Sequence, residues 1–184
     1  MSGRLIAVVG PSGVGKDTVM AEMAARRPGL HVVRRAITRP AAASEPFEPL
    51  SEASFARRKA AGDFALAWRA HGLAYALPVP ELAGLAEGRD ALANLSRRAL
   101  GAAAARFPRL VVLALEAPAE VLAARLAGRG RESADEIAAR LARAAPLPAD
   151  LPEDVAVIRI DNSGPPGAAA EAALAALYPE RAAS

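Results

Sequence analysis

Residues 10–18 read Gly-Pro-Ser-Gly-Val-Gly-Lys-Asp-Thr and have the residue types and spacing for binding nucleotide phosphates. The stretch fits the phosphate-loop pattern G-x-x-x-x-G-K, with a hydroxyl residue within two positions of the lysine. Because glycine allows backbone conformations that side chains would block, the loop N–H groups can point inward around phosphate oxygens. We expect Lys16 to reach the β- and γ-phosphates, aided by the positive end of the following helix. The residues expected to contact the nucleotide are Gly10, Pro11, Ser12, Gly13, Val14, Gly15, Lys16, Asp17 and Thr18.

The lysine is followed by Asp17, where many phosphate loops carry serine or threonine, and Thr18 comes next. The loop hydroxyl contacts Mg²⁺ in such sites, and we expect Thr18 to have this role. For Asp17 the sequence leaves two roles open. Its negative charge is favourable in the first turn of a helix, and Mg²⁺ sites often combine one or two carboxylates with substrate phosphates. The expected cofactors are ATP and Mg²⁺, with Thr18 and Asp17 as candidate metal-binding residues.

The elements around the loop are those that the motif requires. Leu5–Val9 is a short apolar run typical of a buried strand, and Thr18–Arg27 has the pattern of a helix. Apolar runs and helical stretches then alternate, which predicts an α/β fold, a parallel sheet flanked by helices in one P-loop domain over residues 1–184. Further strands are predicted near His31–Arg34, Arg89–Asn94, Leu110–Leu115 and Val155–Ile160, and further helices near Ser51–Ala61, Pro80–Glu87, Arg97–Phe107, Ala119–Ala127, Ser133–Ala144 and Pro166–Leu177.

Two segments interrupt this alternation. Residues 36–80 are rich in proline, contain a short helix, and continue with two strand-like runs around His71-Gly72. We therefore expect an inserted subdomain that contains a hairpin. The second interruption is Gly128-Arg129-Gly130-Arg131, and we interpret residues 128–134 as a short lid.

The composition fits a cytoplasmic enzyme. The length of 184 residues suits one α/β domain with a sizeable core. The absence of cysteine excludes disulfides and thiolate metal sites. No apolar run reaches membrane-spanning length, and the N-terminal residues lack the order of a signal peptide. Because a net charge of +3 is too small to indicate nucleic-acid binding, we expect neither nucleic acid nor a membrane as a partner.

The combination of motifs is more specific than the phosphate loop alone. The Lys-Asp-Thr form of the loop occurs together with Arg-Arg-x-x-Thr-Arg-Pro and Asn-x-Ser-Arg. In this combination the chain resembles the guanylate-kinase-like enzymes, and among them the ribose 1,5-bisphosphate phosphokinase family of phosphonate metabolism. The resemblance extends from Leu5 to Asn162 and rests on residues 10–18, Arg34–Pro40, His71–Tyr75 and Arg125–Glu132, with Asn94–Arg97 in support.

The resemblance implies a reaction. ATP would transfer its γ-phosphoryl group to the 1-phosphate of ribose 1,5-bisphosphate, giving 5-phosphoribosyl 1-diphosphate (PRPP) and ADP. The attacking oxygen belongs to a phosphate that is already anionic, so catalysis needs positioning and charge neutralisation rather than a strong base. The expected partner is a small phosphosugar, and a homodimer is left open.

The resemblance also implies roles for several arginines. Arg39 and Tyr75 match positions that bind the acceptor phosphate in guanylate kinases, within the insertion over residues 36–80. Arg35, next to Arg34, adds positive charge for the second phosphate of the acceptor. The lid positions Arg129 and Arg140 would close over the transferring phosphoryl group. Arg97 follows the third predicted strand, and ligands of open α/β sheets lie outside the carboxyl ends of strands.

Acceptor selection depends on one position. Guanylate kinases carry a glutamate shortly after the phenylalanine of the inserted subdomain, and this glutamate accepts hydrogen bonds from guanine. Aligned on Phe64, the matching residue is Leu66, which cannot accept a hydrogen bond. This argues against the alternative of a guanylate-kinase-like nucleoside monophosphate kinase. Phe47 and Ala76 depart from the family, which is expected to have histidine and glycine there.

A non-catalytic binding module of the guanylate-kinase type is a further alternative. Such a module would not need an ATP site, so Lys16, Thr18 and the lid arginines argue against it. A nucleotide switch is disfavoured because the chain lacks an Asn-Lys-x-Asp guanine motif. Trp68 is expected to pack within the subdomain, and Ser96 to cap the helix after the third strand. Asn94 stands where related kinases have an acidic residue near the metal.

Overall fold

The structure is a computed structural model that describes residues 3–40, 47–128, 138, 147–148 and 151–179. Its strands within these ranges are β1 (Leu5–Val9), β2 (His31–Val32), β3 (Arg35–Ile37), β4 (Phe47–Pro49), β5 (Phe64–Ala70), β6 (Leu73–Pro78), β7 (Ala91–Asn94), β8 (Leu110–Glu116) and β9 (Ala156–Asp161). Five of them form a parallel sheet in the order β2–β7–β1–β8–β9. The predicted α/β class with a parallel sheet is confirmed.

The helices flank this sheet on both faces. They are α1 (Lys16–Arg26), α2 (Glu52–Ala60), α3 (Leu100–Arg106), α4 (Ala119–Ala127) and α5 (Pro166–Leu177). Because both faces of the sheet are covered, β1 is buried at every position, and its residues alternate between two cores. Ile6 and Val8 pack towards α1 and α5, whereas Leu5, Ala7 and Val9 pack towards α3 and the hairpin of the insertion.

The insertion forms a second sheet. Its strands lie in the order β4–β3–β6–β5, with β3 and β4 parallel and the other pairs antiparallel. The β5–β6 hairpin predicted from the sequence is confirmed, and its turn at His71-Gly72 has positive φ angles of 51° and 75°. Helix α2 begins at Glu52, where the Ser51 hydroxyl accepts a hydrogen bond from the Ser54 amide at 3.1 Å.

Some predicted elements differ in type or length. The segment predicted as a helix over 80–87 is a 3₁₀ helix at Val79–Leu85, and the helix predicted from Arg97 begins with 3₁₀ geometry at Arg97–Ala99. Ser96 precedes it, but its hydroxyl makes no capping hydrogen bond, so that prediction was wrong. The strand predicted to reach Arg34 ends at Val32, and the Arg34 amide beyond it donates to the Glu81 carboxylate at 2.9 Å.

Of the helix predicted over 133–144, only residue 138 lies within the described part of the chain. Among the described residues, no helix has the length and apolar character needed to cross a bilayer.

Candidate active site

The phosphate loop follows β1 at the carboxyl edge of the main sheet. It leads into α1, and Gly15 at the start of that helix has φ of 90°, a conformation in which a side chain would be strained. Gly10 is required by space, because a Cβ atom there would lie 2.6 Å from the Leu115 carbonyl oxygen. The glycines therefore allow the tight turn that leads from β1 into α1 and passes close to β8.

Lys16 folds back over the loop. Its ammonium group donates to the carbonyl oxygens of Gly10 at 3.0 Å and Pro11 at 3.1 Å. These contacts hold the ammonium group beside the loop backbone that is predicted to bind phosphate. Lys16 is therefore well placed to exchange a carbonyl contact for a phosphate oxygen.

Asp17 is joined to the next strand of the sheet. The Asn94 amide at the end of β7 donates to Asp17 Oδ1 at 2.8 Å. Asn94 is buried, with 8% of its surface exposed, whereas Asp17 and Thr18 are exposed on the first turn of α1. Asn94 thus fixes one carboxylate oxygen of Asp17 beside the phosphate loop.

The Asp17 and Thr18 oxygens fit the chemistry of Mg²⁺. Hard oxygen ligands suit this ion, which commonly takes one or two protein groups together with substrate phosphates. Among the described residues, no group of three histidine, cysteine or acidic side chains is arranged as a complete protein metal site. Asp17 and Thr18 would hold the ion only together with nucleotide phosphates, and the ion would then neutralise phosphate charge.

Asn162 is a site residue that the sequence reasoning did not single out. Its side-chain amide donates to the Val14 carbonyl of the phosphate loop at 2.6 Å, and only 1% of its surface is exposed. The following segment is held by Arg125, which donates to the carbonyl oxygen of Asn162 at 2.7 Å. A polar residue directly after the last strand was the available signal, since such positions lie at the ligand-binding edge.

The second sheet presents a cationic and aromatic face. Arg35, Tyr75 and Trp68 lie on one side of it, because the rings of Trp68 and Tyr75 stack at 5.4 Å between centroids and the Arg35 guanidinium lies 5.8 Å from the Tyr75 centroid. Ala76 is fully buried on the opposite side, in the cluster with Phe55 of α2. Having alanine at position 76, where the family is expected to have glycine, therefore does not alter the face that carries Arg35.

Arg35 on this face interacts electrostatically with Asp17, which follows the phosphate loop. Burial lowers the pKa of the Arg35 guanidinium, and the Asp17 carboxylate opposes this shift. The charge of Arg39 lowers the pKa of Arg35 further. The Arg39 guanidinium lies 4.7 Å from the centroid of the Phe47 ring. Arg39 and Tyr75 thus both interact with Arg35, and Arg35 in turn interacts with Asp17.

Arg97 lies at the carboxyl edge of the main sheet, as predicted. Burial lowers the pKa of its guanidinium, the Glu116 carboxylate opposes the shift, and the charge of Arg159 adds to it. Arg159 itself forms an ion pair with Glu116. Arg97 is therefore a half-buried cation near the end of β8.

Glu48 of β4 belongs to an ion pair within the second sheet and α2, with the Arg58 guanidinium 2.7 Å from its carboxylate. The predicted lid residues Arg129 and Arg140 lie outside the described residues.

Leu66 packs in the core rather than facing open space. It is 7% exposed and lies in the same cluster as Leu77 and Leu82. The register of β5 against β6 shifts between Phe64 and Leu66. A one-residue shift of the alignment would select Ala67, which is also apolar, so neither residue offers an acceptor for guanine.

A phosphate loop after β1 of this parallel sheet, opposite an inserted sheet with arginines, defines a P-loop kinase of the guanylate-kinase-like class. Guanylate kinase from Anaplasma phagocytophilum superposes with a TM-score of 0.70 and 15% identity, covering 98% of this chain and 88% of that one. At this identity the likeness shows the fold. No protein-family model matches the chain.

Curated relatives define the family. Ribose 1,5-bisphosphate phosphokinase PhnN of Ruegeria sp. (strain TM1040) is 48% identical over 183 residues, covering 98% of this chain and 94% of that protein. The protein of the same name in Brucella melitensis biotype 2 is 45% identical over 180 residues, covering 96% of this chain and 92% of that protein. The chain belongs to the ribose 1,5-bisphosphate phosphokinase family.

Proposed function

We propose that this protein transfers the γ-phosphoryl group of ATP to the 1-phosphate of ribose 1,5-bisphosphate, giving PRPP and ADP. The observation that carries the proposal is the cluster of Arg35, Tyr75 and Trp68 on the second sheet, whose Arg35 guanidinium interacts electrostatically with Asp17 beside the phosphate loop. A donor site and a cationic acceptor site are then within reach of each other. Relatives that cover nearly the whole chain bear the name of this activity.

In the proposed reaction, catalysis depends mainly on positive groups that neutralise the charge of the phosphates. The 1-phosphate oxygen attacks the γ-phosphorus, and the bond from that phosphorus to the β,γ-bridging oxygen breaks, so ADP leaves. Because the attacking oxygen is already anionic, no proton has to leave it. Lys16 holds the β- and γ-phosphates. Asp17 and Thr18 would hold Mg²⁺, which would supply charge neutralisation for the phosphates. Arg129 and Arg140 are proposed to neutralise the transferring group from the lid.

The acceptor is proposed to bind against the second sheet. Arg35, Arg39 and Tyr75 take its phosphates, and Arg97 adds charge from the main sheet. Charge-assisted hydrogen bonds from guanidinium groups suit phosphate oxygens in geometry and strength. We place the enzyme in the cytoplasm, where ATP is available, and in the phosphonate metabolism to which its family is linked.

The decisive experiment is a phosphoryl-transfer assay with ATP and Mg²⁺. Ribose 1,5-bisphosphate, GMP and AMP are compared as acceptors, and PRPP is measured directly. Lys16→Ala should lower kcat/KM by about 100-fold or more, since it removes preorganised positive charge at the transferred group. Lys59→Ala is the matched control, because Lys59 is the only other lysine and is exposed on α2.

The outcomes separate the alternatives. PRPP formation that Lys16→Ala removes and Lys59→Ala leaves intact supports the proposal. Transfer to GMP in preference to the phosphosugar would identify a nucleoside monophosphate kinase. ATP binding without transfer to any of the three acceptors would contradict the proposed reaction.

A further inference from the structure

The peptide bond between Val14 and Gly15 is held from outside the phosphate loop. Asn162 donates its side-chain amide to the Val14 carbonyl oxygen at 2.6 Å, across 148 positions of the sequence. Because a carbonyl oxygen only accepts hydrogen bonds, the group that faces it is the NH₂ of Asn162 and not Oδ1. We propose that Asn162 is a positioning residue for nucleotide binding, which orients the Gly15 N–H towards the phosphates.

The geometry of the peptide unit links the two groups. In a planar trans peptide the C=O and the following N–H point in opposite directions. Fixing the Val14 carbonyl outward therefore fixes the Gly15 N–H inward. A loop binds phosphate through inward N–H groups, and Gly15, with φ of 90°, has the backbone freedom to turn away if this contact is lost.

Asn162 is itself held rigidly. Its backbone amide donates to the Glu116 carbonyl at 2.8 Å, at the end of β8. Its own carbonyl accepts from Arg125 of α4 at 2.7 Å. Since the residue is 1% exposed, the side chain has little room for another orientation.

The surroundings of the Asn162 side chain indicate that its function is to contact the phosphate loop. Within the described part of the chain, Asn162 Oδ1 is buried without a hydrogen-bond partner. Such a group is costly to bury, and an apolar residue would avoid the cost. A Cβ atom at Gly15 would lie 3.0 Å from Asn162 Nδ2, so the amide also fills the space that glycine leaves. The donor contact with Val14 is the interaction that accounts for an asparagine here.

The inference rests on the ATP-binding part of the proposed function, and it is tested by nucleotide binding alone. Asn162→Asp keeps the shape of the side chain but replaces the donor by an oxygen that repels the Val14 carbonyl. Asn162→Ala removes the side-chain amide altogether. Ser163→Ala is the matched control, because the Ser163 hydroxyl donates within its own segment, to the Asp161 carboxylate at 2.8 Å.

The dissociation constants for ATP and ADP are measured by calorimetry, after thermal unfolding has shown that each variant is folded. We expect both Asn162 variants to bind either nucleotide at least about tenfold more weakly, within the range seen when supporting contacts of a binding site are removed. The KM for ribose 1,5-bisphosphate should change less than about twofold, because the acceptor face lies on the second sheet. Ser163→Ala should match the parent protein.

A direct readout of the Gly15 amide separates positioning from a general loss of stability. Val-Gly occurs at two places in the chain, Val9-Gly10 and Val14-Gly15. Labelling valine with ¹³C at the carbonyl and glycine with ¹⁵N therefore selects the Gly10 and Gly15 amides in an NMR spectrum. At saturating ADP, Asn162→Asp should reduce the shift change of Gly15 while that of Gly10 is retained.

Two results would overturn the inference. One is parent-like ATP and ADP affinity in folded Asn162→Asp and Asn162→Ala. The other is an unchanged response of Gly15 to saturating ADP. Failure of the parent protein to bind ATP would instead contradict the proposed function, so the two failures are distinguishable.

Discussion

Asn94 at the end of β7 and Asp17 on the first turn of α1 are joined by a hydrogen bond of 2.8 Å. The amide donates to one carboxylate oxygen, so the orientation of Asp17 is set by the central sheet. This arrangement bears on the two roles that the sequence left open for Asp17. A carboxylate that only stabilises the helix would not need a fixed orientation, whereas a group that binds a metal ion gains from one.

Exchanging the two residues tests the role of Asp17. Asp17→Asn and Asn94→Asp should each raise the Mg²⁺ concentration for half-maximal activity by about tenfold, because supporting contacts of metal sites have effects of this size. The double variant restores an amide–carboxylate pair but moves the charge from α1 to β7. If Asp17 holds the metal, the double variant stays impaired. Recovery of the parental Mg²⁺ dependence in a Mg²⁺ titration would show that only the hydrogen bond matters.

Arg35 should determine acceptor affinity without affecting ATP binding. Replacing it by methionine removes a half-buried cation from the face that carries Tyr75 and Trp68, and loss of such a partner costs about 2 kcal/mol or more. The KM for ribose 1,5-bisphosphate should therefore rise by roughly 30-fold. Arg69→Met is the control, since Arg69 is exposed on β5 and pairs with Glu52. Equal effects of the two substitutions in steady-state kinetics would contradict the assignment.

Trp68 offers a spectroscopic test of the acceptor face. It is the only tryptophan, and its ring stacks on Tyr75 with an angle of 11° between planes. Because Tyr75 is a proposed phosphate contact, we expect ribose 1,5-bisphosphate to change the intrinsic fluorescence of Trp68. Tyr75→Phe keeps the stacking but removes the hydroxyl, so the same change should require about tenfold more ligand. A titration with no change in fluorescence would place the acceptor elsewhere.

The Asp90 carboxylate makes the stability of the fold sensitive to acid. Burial opposes ionisation of Asp90, but hydrogen bonds from Arg4 and Tyr178 lower the pKa of its carboxyl group below the usual 3.8. Because the folded-state pKa lies below the unfolded value, the stabilisation is present above about pH 4 and is lost as pH falls through the folded-state pKa. Asp90→Asn should lower the free energy of unfolding at pH 7 by about 2 kcal/mol.

Chemical denaturation across pH checks this prediction. The difference between the parent protein and Asp90→Asn should shrink as the pH falls below about 4, where the parent carboxyl group also becomes neutral. Glu87→Gln provides the control, because Glu87 is exposed and its pair with Arg89 should contribute less than about 0.5 kcal/mol. A difference that stays constant down to pH 2 would show that ionisation of Asp90 does not contribute.

Local sequence patterns were sufficient to predict much of the fold. The predicted strand Leu5–Val9 is found with the same bounds, and the helix predicted over Thr18–Arg27 is found over Lys16–Arg26, because each depends on neighbouring residues. The same holds for the β5–β6 hairpin, whose turn is marked by His71-Gly72. The strands β3 and β4 were missed, since strands of three residues carry too little periodicity to be recognised without their partners.

The sequence by itself determined the class of chemistry, phosphoryl transfer from a nucleotide, because the phosphate-loop motif and the family resemblance each consist of short contiguous segments. The tertiary structure decided how the site is supported. Asn94 reaches Asp17 across 77 positions and Asn162 reaches Val14 across 148. Neither contact leaves a local pattern, because each depends on which strands of the sheet become neighbours. Only the strand order β7–β1–β8–β9 brings these two amides to the phosphate loop.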